Sequence, residues 1–279
     1  MDNKINYKLI FSDLDETLLV NNHIPQFNLE AIKKSREKDV KLVFCSGRNY
    51  QYMLHLLKGL NTENEEGEYT VCCSGSIIYE NKNKKLIYFK GIDNNIFNYL
   101  FEYGKKLNKD IFMLIYTLEG AYVYNEELMD KNDWKGFEYK VLKSLDQIKD
   151  SKIIRIIYSK KDLNYLLKLQ NEFKNKKDLE NKISCYISGN RFLEFNAYGV
   201  DKGEALKWLS NYLKIDIKET IAIGDNYNDE SMIKVAGLGC CVKSANDDIK
   251  KISKYICEKD YFEGSVKEVI DKFILNKMS

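Results

Sequence analysis

Short apolar runs that end in polar or glycine residues recur along the chain, and they predict buried parallel strands. Segments with helical spacing of apolar residues separate these runs, as in Met53, Leu54, Leu57 and Leu60. Regular alternation of strand and helix is typical of an α/β fold. The predicted strands of this kind are 8–12, 40–45, 70–74, 220–224, 238–242 and 255–257.

The alternation breaks after Ser76, where two short apolar runs flank the turn-like segment 81–84 and predict an antiparallel hairpin. Helical and strand patterns are then mixed as far as about residue 190, which indicates an inserted α+β domain. We therefore predict a core of residues 1–81 and 190–279 and an inserted domain of residues 82–189. The helices predicted in the insertion are 94–107 and 161–174, and the strands are 111–117, 121–124, 153–159, 182–188 and 191–195.

Composition and charge exclude several classes of protein. The 279 residues are 44% hydrophobic and 31% charged, which is typical of a globular protein of about two domains. The 44 basic and 42 acidic residues leave a net charge of only +2, so we expect neither nucleic acid nor a membrane surface as partner. The sequence leaves the oligomeric state open.

The cysteine content and the N-terminal segment bear on the compartment. The first apolar run is too short for a signal-peptide core, so we expect a cytoplasmic protein. Seven cysteines, an odd number, favour reduced thiols over a disulfide framework, and the adjacent pairs at 72–73 and 240–241 lack the spacing of zinc ligands. The two histidines lie outside any nucleophile motif, which disfavours a Ser-His-Asp hydrolase.

Two acidic clusters follow predicted strands. Asp13 and Asp15 lie at the end of strand 8–12, where an open α/β sheet binds its ligands, although an acidic turn would look the same. Asp225 and Asp229 follow another apolar strand, and helix capping alone would account for Asp229. Two such strand ends can share one ion. Oxygen-rich ligands without thiolates suit Mg²⁺.

Four ordered segments resemble the motifs of the haloacid dehalogenase superfamily, and within it the Cof-like hydrolases with a C2-type cap. The resemblance covers nearly the whole chain, although the inserted domain matches only in size and position. It implies an α/β fold with a Rossmann-like parallel sheet core and an inserted α+β cap domain. The segments are 13–18 (DLDETL), 44–48 (FCSGR), 199–203 (GVDKG) and 224–229 (GDNYND).

The resemblance implies a chemical role for each of four catalytic residues. Asp13 would be the nucleophile that forms an aspartyl-phosphate, and Asp15 would be the general acid and base. Ser46 would donate a hydrogen bond to the phosphoryl oxygens, and Lys202 would neutralise their charge. On local pattern alone, Ser46 could equally cap a helix and Lys202 could be a solvated residue of a first helical turn.

The resemblance also implies a Mg²⁺ cofactor and a set of binding residues. The metal ligands would be Asp13, Asp15, Asp225 and Asp229, with Asp15 contributing its main-chain carbonyl. From its residue type, Arg48 could contact either a phosphate or a structural carboxylate. The substrate-binding residues would be Ser46, Gly47, Arg48, Ser74, Gly75, Lys202 and Asn228.

Four positions depart from the family pattern. Glu16 replaces the usual glycine of the first motif, and Ser74 stands where an asparagine is common. Lys243 and Ser244 replace a glycine and an asparagine later in the chain. These changes leave the motif aspartates in place, and they concern substrate contacts more than catalysis.

We therefore predict a Mg²⁺-dependent phosphatase that acts on a small phosphorylated metabolite, either a sugar phosphate or a phosphorylated cofactor. A phosphotransferase or mutase would use the same residues. A protein that binds a phosphometabolite without catalysis is the alternative from another class. Glu194, where the chain returns to the core, lies in a segment that resembles the family pattern, and it is a candidate contact to the substrate.

Overall fold

The apolar runs form the strands, and the segments with helical spacing form the helices. The structure is a computed structural model that describes residues 5–107, 111–130, 134 and 137–276. Its strands are β1 (Leu9–Ser12), β2 (Lys41–Cys45), β3 (Tyr69–Cys72), β4 (Ile77–Glu80), β5 (Lys85–Phe89), β6 (Phe112–Thr117), β7 (Gly120–Tyr124), β8 (Lys140–Val141), β9 (Ile153–Ser159), β10 (Ile183–Ser188), β11 (Phe192–Ala197), β12 (Thr220–Gly224), β13 (Leu238–Cys241) and β14 (Tyr255–Ile256). Its α-helices are α1 (Gln26–Arg36), α2 (Leu54–Gly59), α3 (Asn94–Lys106), α4 (Leu163–Lys174), α5 (Lys202–Tyr212), α6 (Glu230–Val235), α7 (Asp247–Ile252) and α8 (Ser265–Phe273).

The chain divides into two units, Met1–Phe89 with Asp201–Ser279 and Lys90–Val200. The first unit contains a sheet in the order β14-β13-β12-β1-β2-β3-β4-β5. The strands from β14 to β3 are parallel, and β4 and β5 are added antiparallel at one edge. Because β1 and β12 are parallel neighbours, with Ser12 opposite Ile223, their carboxyl ends lie side by side.

The core of the first unit explains why its strands are apolar throughout. Leu9, Phe11 and Val43 are fully buried, and they belong to one cluster with Leu206 and Leu209 of α5. A parallel sheet that is covered on both faces needs apolar side chains at successive positions rather than at alternate ones. The burial of all four residues of β1 follows from this arrangement.

The second unit contains a separate sheet in the order β10-β11-β9-β6-β7-β8. Its neighbouring strands are antiparallel except for β7 and β8. Tyr158 and Phe195 point from this sheet into a core that contains Leu100 of α3 and Leu166 of α4. The predicted α/β class, with a parallel core sheet and an α+β insertion, is confirmed.

The boundaries of the units differ from the predicted boundaries at residues 82 and 190. β5 pairs with β4 in the sheet of the first unit, so that unit continues to Phe89. β11 pairs with β9 and β10, so the second unit continues to Val200. The sequence pattern identified the hairpin of β4 and β5, but it could not indicate which sheet the hairpin joins.

The structure also describes the state of the cysteines and the character of the helices. All seven cysteines are free thiols, as their odd number predicted, and all of them except Cys185 are buried. Within the part of the chain that the structure describes, no helix has both the length and the apolar character needed to cross a bilayer.

We predict that Gly203→Ala destabilises the first unit, because a Cβ at Gly203 would lie 2.6 Å from the main-chain oxygen of Ser231. The helices α5 and α6 would have to separate, and we expect the free energy of unfolding to fall by about 1–3 kcal/mol in urea denaturation. Gly59→Ala is the matched control, because a Cβ there meets nothing within 4 Å and alanine favours helix. Equal stability of the two variants would contradict the prediction.

Candidate active site

Two buried carboxylates lie at the carboxyl ends of neighbouring strands. Asp13 follows β1 and donates its main-chain N–H to the carbonyl oxygen of Ile223, at 3.0 Å. Asp225 follows β12, and both aspartates are less than a tenth exposed. The pairing of β1 with β12 brings these residues together although they are far apart in the sequence. This edge of a parallel sheet is where α/β proteins bind ligands.

Lys202 supplies the positive charge of the site. It is the first residue of α5 and its side chain is fully buried. Its Nζ lies 2.5 Å from Oδ1 of Asp13 and 2.5 Å from Oδ1 of Asp229. A buried ammonium group is stable only when carboxylates or other acceptors surround it. Lys202 is therefore an ion-pair partner of the site and not a solvated helix residue.

Asp229 holds the loop that follows β12. Its Oδ2 accepts the main-chain N–H groups of Asp225, at 3.0 Å, and of Asn226, at 3.1 Å. A Cβ at Gly224 would lie 2.4 Å from Cγ of Asp229, so only glycine lets the carboxylate fold back over the strand end. Both oxygens of Asp229 are therefore engaged by the loop and by Lys202.

Thr17 is a site residue that sequence reasoning missed. Its hydroxyl donates to Oδ1 of Asp225 at 2.8 Å, and the threonine is fully buried. The sequence offered one signal for it, because Asp13, Asp15 and Thr17 follow one another at intervals of two residues in the first motif. Thr17 fixes the orientation of the Asp225 carboxylate.

The buried acidic group fits a divalent cation. Oxygen atoms of Asp13, Asp225 and Asp229 lie within 4.8 Å of one another. Burial raises the pKa of Asp13 to about 6 and the pKa of Asp225 to about 8, and neighbouring carboxylate charges add to both shifts. Burial acts to lower the pKa of Lys202, but Asp13 and Asp229 outweigh it and the pKa is raised.

The group thus contains three carboxylates and one ammonium group, whose Nζ contacts two of the carboxylates. The remaining negative charge and the all-oxygen donor set are suited to Mg²⁺.

Two loops carry most of the predicted substrate-binding residues, and hydrogen bonds join them. Ser74 donates its main-chain N–H to the carbonyl oxygen of Ser46 at 2.9 Å. The Oγ of Ser46 accepts the main-chain N–H of Arg48 at 3.2 Å, so Ser46 stabilises a turn and does not cap a helix. Gly47 lies against Ser74, since a Cβ there would be 3.3 Å from the Ser74 hydroxyl.

Gly75 has a backbone reason to be glycine. Its φ is +105°, and a Cβ would lie 2.3 Å from the main-chain oxygen of Asp201. This close approach places Gly75 beside the start of α5, next to Lys202. Asn228, another predicted substrate-binding residue, lies exposed in the turn Tyr227–Asp229.

Asp15 stands apart from the buried carboxylates. Its side chain is 62% exposed and pairs with Arg48, whose Nη2 lies 2.5 Å from Oδ1 of Asp15. Of the two contacts considered for Arg48, the structure contains the one to a carboxylate. Asp15 is also the one predicted metal-binding residue whose carboxylate lies outside the acidic group formed by the described residues.

The departures from the family pattern have local explanations. Glu16 has a φ of +56°, a conformation that glycine adopts more easily, so the turn keeps its shape at some cost in strain. Ser244 donates its hydroxyl to Oδ1 of Asp260 at 2.5 Å. Lys243 donates its main-chain N–H to the carbonyl oxygen of Lys259 at 3.3 Å. Ser244 and Lys243 thus contact the loop before α8.

Comparison with known proteins agrees with this geometry. A family model described as haloacid dehalogenase-like hydrolase matches residues 10–270. The crystal structure of a haloacid dehalogenase-like hydrolase from Bacteroides thetaiotaomicron superposes with a TM-score of 0.80 at 29% identity, over 96% of this chain and 99% of that chain.

Two relatives of the chain are named for an enzymatic activity. The chain is 25% identical to the 5-amino-6-(5-phospho-D-ribitylamino)uracil phosphatase of Bacillus subtilis over 267 residues. This alignment covers 95% of each protein. The chain is also 44% identical to the phosphoglycolate phosphatase of Methanobrevibacter smithii over 94 residues. This shorter alignment covers 34% of this chain and 39% of that protein.

The fold and the site thus define a hydrolase that acts on phosphate esters. The chain belongs to the haloacid dehalogenase-like hydrolase family. The resemblance to this superfamily and to its Cof-like members, predicted from four motifs, is confirmed.

We predict that stability in EDTA falls as the pH rises from about 6 to about 8, because folding raises the pKa of Asp225 to about 8, whereas the corresponding loss for Asp13 is complete near its raised pKa of about 6. A carboxyl group whose pKa is raised by folding makes its full contribution to stability below its unfolded pKa, and this contribution is lost as the pH rises from the unfolded pKa to the folded pKa. We expect a loss of at least about 1 kcal/mol, because one pKa unit corresponds to about 1.4 kcal/mol. Thermal unfolding in EDTA measures this loss of stability.

Mg²⁺ should restore the stability that is lost at the higher pH, and Asp225→Asn should remove most of the pH dependence. Asp39→Asn is the control, because Asp39 is exposed and its φ of +59° suits asparagine equally well. A wild-type protein that is equally stable across this pH range in EDTA would rule out an uncompensated acidic group.

Proposed function

We propose that the protein is a Mg²⁺-dependent phosphatase that hydrolyses the phosphomonoester of a small metabolite through an aspartyl-phosphate on Asp13. The observation that carries the proposal is the buried Asp13 carboxylate at the end of β1, beside Asp225 and 2.5 Å from Lys202. A carboxylate that is fixed in this way presents an oriented nucleophile.

In the first step, an oxygen of Asp13 bonds to phosphorus while the bond from phosphorus to the ester oxygen breaks. The leaving oxygen takes a proton from the carboxyl group of Asp15, and the product alcohol departs. Asp15 is suited to this role because its side chain is exposed and lies two residues from Asp13.

In the second step, a water oxygen bonds to phosphorus while the bond from phosphorus to Asp13 breaks. The Asp15 carboxylate takes a proton from that water, which returns Asp15 to its starting form. Phosphate leaves, and the net reaction consumes one water molecule for each ester. Asp13 is regenerated beside Lys202.

Charge on the phosphoryl group needs stabilisation in both steps. Lys202 keeps Asp13 ionised and supplies a positive charge, and the hydroxyl of Ser46 would donate a hydrogen bond to a phosphoryl oxygen. Asp13 and Asp225 would hold Mg²⁺, together with the main-chain carbonyl of Asp15. When bound, Mg²⁺ neutralises phosphoryl charge as a Lewis acid.

Asp229 would support the metal site rather than bind the ion directly. Its Oδ1 faces Lys202, and its Oδ2 already accepts two main-chain N–H groups. A metal ligand would need at least one of these contacts to break. Asp229 would therefore orient Lys202 and the loop that carries Asp225.

We propose a sugar phosphate or a phosphorylated cofactor as the substrate, with the second unit as a cap that selects the leaving group. The activities for which the two relatives are named support this class, since phosphoglycolate and a phosphoribityl compound are small phosphorylated metabolites. In the second unit, Glu194 pairs with Arg155 at 3.1 Å and accepts hydrogen bonds from Tyr186 and Ser188. Both oxygens of Glu194 are engaged within the second unit, so a contact of Glu194 with the substrate would need one of these hydrogen bonds to break.

We predict that Asp13→Asn lowers phosphate release at least about 1,000-fold while the thermal midpoint is maintained or rises, because asparagine is a poor nucleophile of the same shape. Release from a panel of sugar phosphates, nucleotides and phosphorylated cofactors, with Mg²⁺ and with EDTA, measures the effect. Asp39→Asn is the exposed control.

Product analysis separates the alternatives. Free phosphate indicates hydrolysis, whereas a new phosphoester indicates a phosphotransferase or mutase. Substantial activity in Asp13→Asn would exclude Asp13 as the nucleophile. A folded wild-type protein that binds phosphorylated compounds with Mg²⁺ but releases no phosphate would indicate a binding protein.

A further inference from the structure

The guanidinium group of Arg48 is held by two side chains. Its Nε and Nη2 donate to the two carboxylate oxygens of Asp15, at 3.0 Å and 2.5 Å. Its Nη1 donates to Oδ1 of Asn22 at 2.7 Å. All three nitrogens of the group therefore have an acceptor, and one edge forms a bidentate pair with Asp15.

This bidentate edge is also the edge by which an arginine binds phosphate. Arg48 cannot use it for a phosphoryl group while it holds Asp15. The backbone of Arg48 is fixed as well, because its N–H donates to Oγ of Ser46 and its carbonyl oxygen accepts the N–H of Cys73. The side chain thus starts from a constrained position and reaches Asp15.

Asp15 depends on Arg48 for its orientation. The Asp15 side chain is 62% exposed, and in the described residues Arg48 is its hydrogen-bonding partner. Asp13, by contrast, is buried and is held by Lys202. An exposed aspartate without its arginine would sample several rotamers.

We propose that Arg48 is a positioning residue that acts through Asp15, and that it does not bind the phosphoryl group. This inference rests on the proposed function, in which Asp15 transfers the proton to and from the reacting oxygens. The two hydrogen bonds from Arg48 are those of an ionised Asp15 carboxylate. A protonated Asp15 keeps one oxygen as an acceptor for Arg48 and directs its O–H toward the ester oxygen.

Asn22 fixes the other end of the guanidinium group. Asn21 and Asn22 have φ values of +50° and +63°, and mutual hydrogen bonds between Val20 and His23 close a tight turn around them. The carbonyl oxygen of Asn22 also lies 3.1 Å from Nε2 of His55. The turn therefore presents the Asn22 amide to Arg48 from a rigid backbone.

The leaving group distinguishes positioning of Asp15 from binding of phosphate. Nitrophenolate leaves without a proton near neutral pH, whereas the benzyl alkoxide needs one from a general acid. The value of kcat/KM reports only the steps up to formation of the phosphoenzyme, so it isolates this proton transfer. Loss of a residue that acts through Asp15 should therefore lower kcat/KM for benzyl phosphate and hardly change it for p-nitrophenyl phosphate.

The experiment measures kcat/KM of Arg48→Met for both esters in saturating Mg²⁺. We expect a loss of about 10- to 100-fold for benzyl phosphate and of less than about 3-fold for p-nitrophenyl phosphate. Asp15→Asn should show the same selectivity. The double variant should be no worse than Asp15→Asn alone, because both changes remove one function.

Three further variants sharpen the test. Arg48→Lys keeps the charge but not the bidentate pair, so it should lose activity toward benzyl phosphate and also serves if Arg48→Met folds poorly. Asn22→Gly keeps the positive φ and should cause a smaller loss with the same selectivity. Lys58→Met removes an exposed cation and should change neither rate.

Equal losses for both esters, adding to the loss in Asp15→Asn, would overturn the inference and assign Arg48 to phosphate binding. The proposed function would survive that result. A wild-type protein that releases no phosphate from these two esters or from the panel of phosphorylated metabolites would overturn the proposed function and the inference together, since Asp15 would then have no leaving group to protonate.

Discussion

A single buried ammonium group between two carboxylates organises the active site. Lys202 can remain buried because Asp13 and Asp229 face its Nζ, since a buried ammonium group without carboxylate partners would be an uncompensated charge. Its position is set by backbone packing, because Gly203 lets α5 approach α6 and Gly75 lets a loop approach the start of α5. The orientation of Asp13, the proposed nucleophile, therefore depends on helix packing as much as on local hydrogen bonds.

Sequence reasoning identified the features that depend on short patterns. The apolar runs before Asp13 and Asp225 predicted both strands and the place where the carboxylates meet. The contact of Thr17 with Asp225 was not predictable, because it depends on the register of β1 and β12. The pairing of Arg48 with Asp15 likewise depends on how two loops from different strands are folded.

The fourth motif shows why residue type alone does not assign a role. Asp225 and Asp229 are only four residues apart, and both were predicted as metal ligands. The structure gives Asp229 two main-chain donors and Lys202, whereas Thr17 orients Asp225 with one hydrogen bond. Gly224 permits this difference between the two aspartates, since it leaves space for the Asp229 side chain to turn back toward the end of β12. The role of each aspartate follows from the backbone that surrounds it.

The pairing of β1 with β12 has a consequence for the order of folding. β1 is made early in synthesis, but its neighbour on one side follows only after residues 90–200 have been made. The second unit is continuous in the chain, so it can form its own sheet while β1 still lacks that partner. Asp13, the proposed nucleophile, and the residues that restrain it are thus assembled late, after the segment proposed to select the substrate.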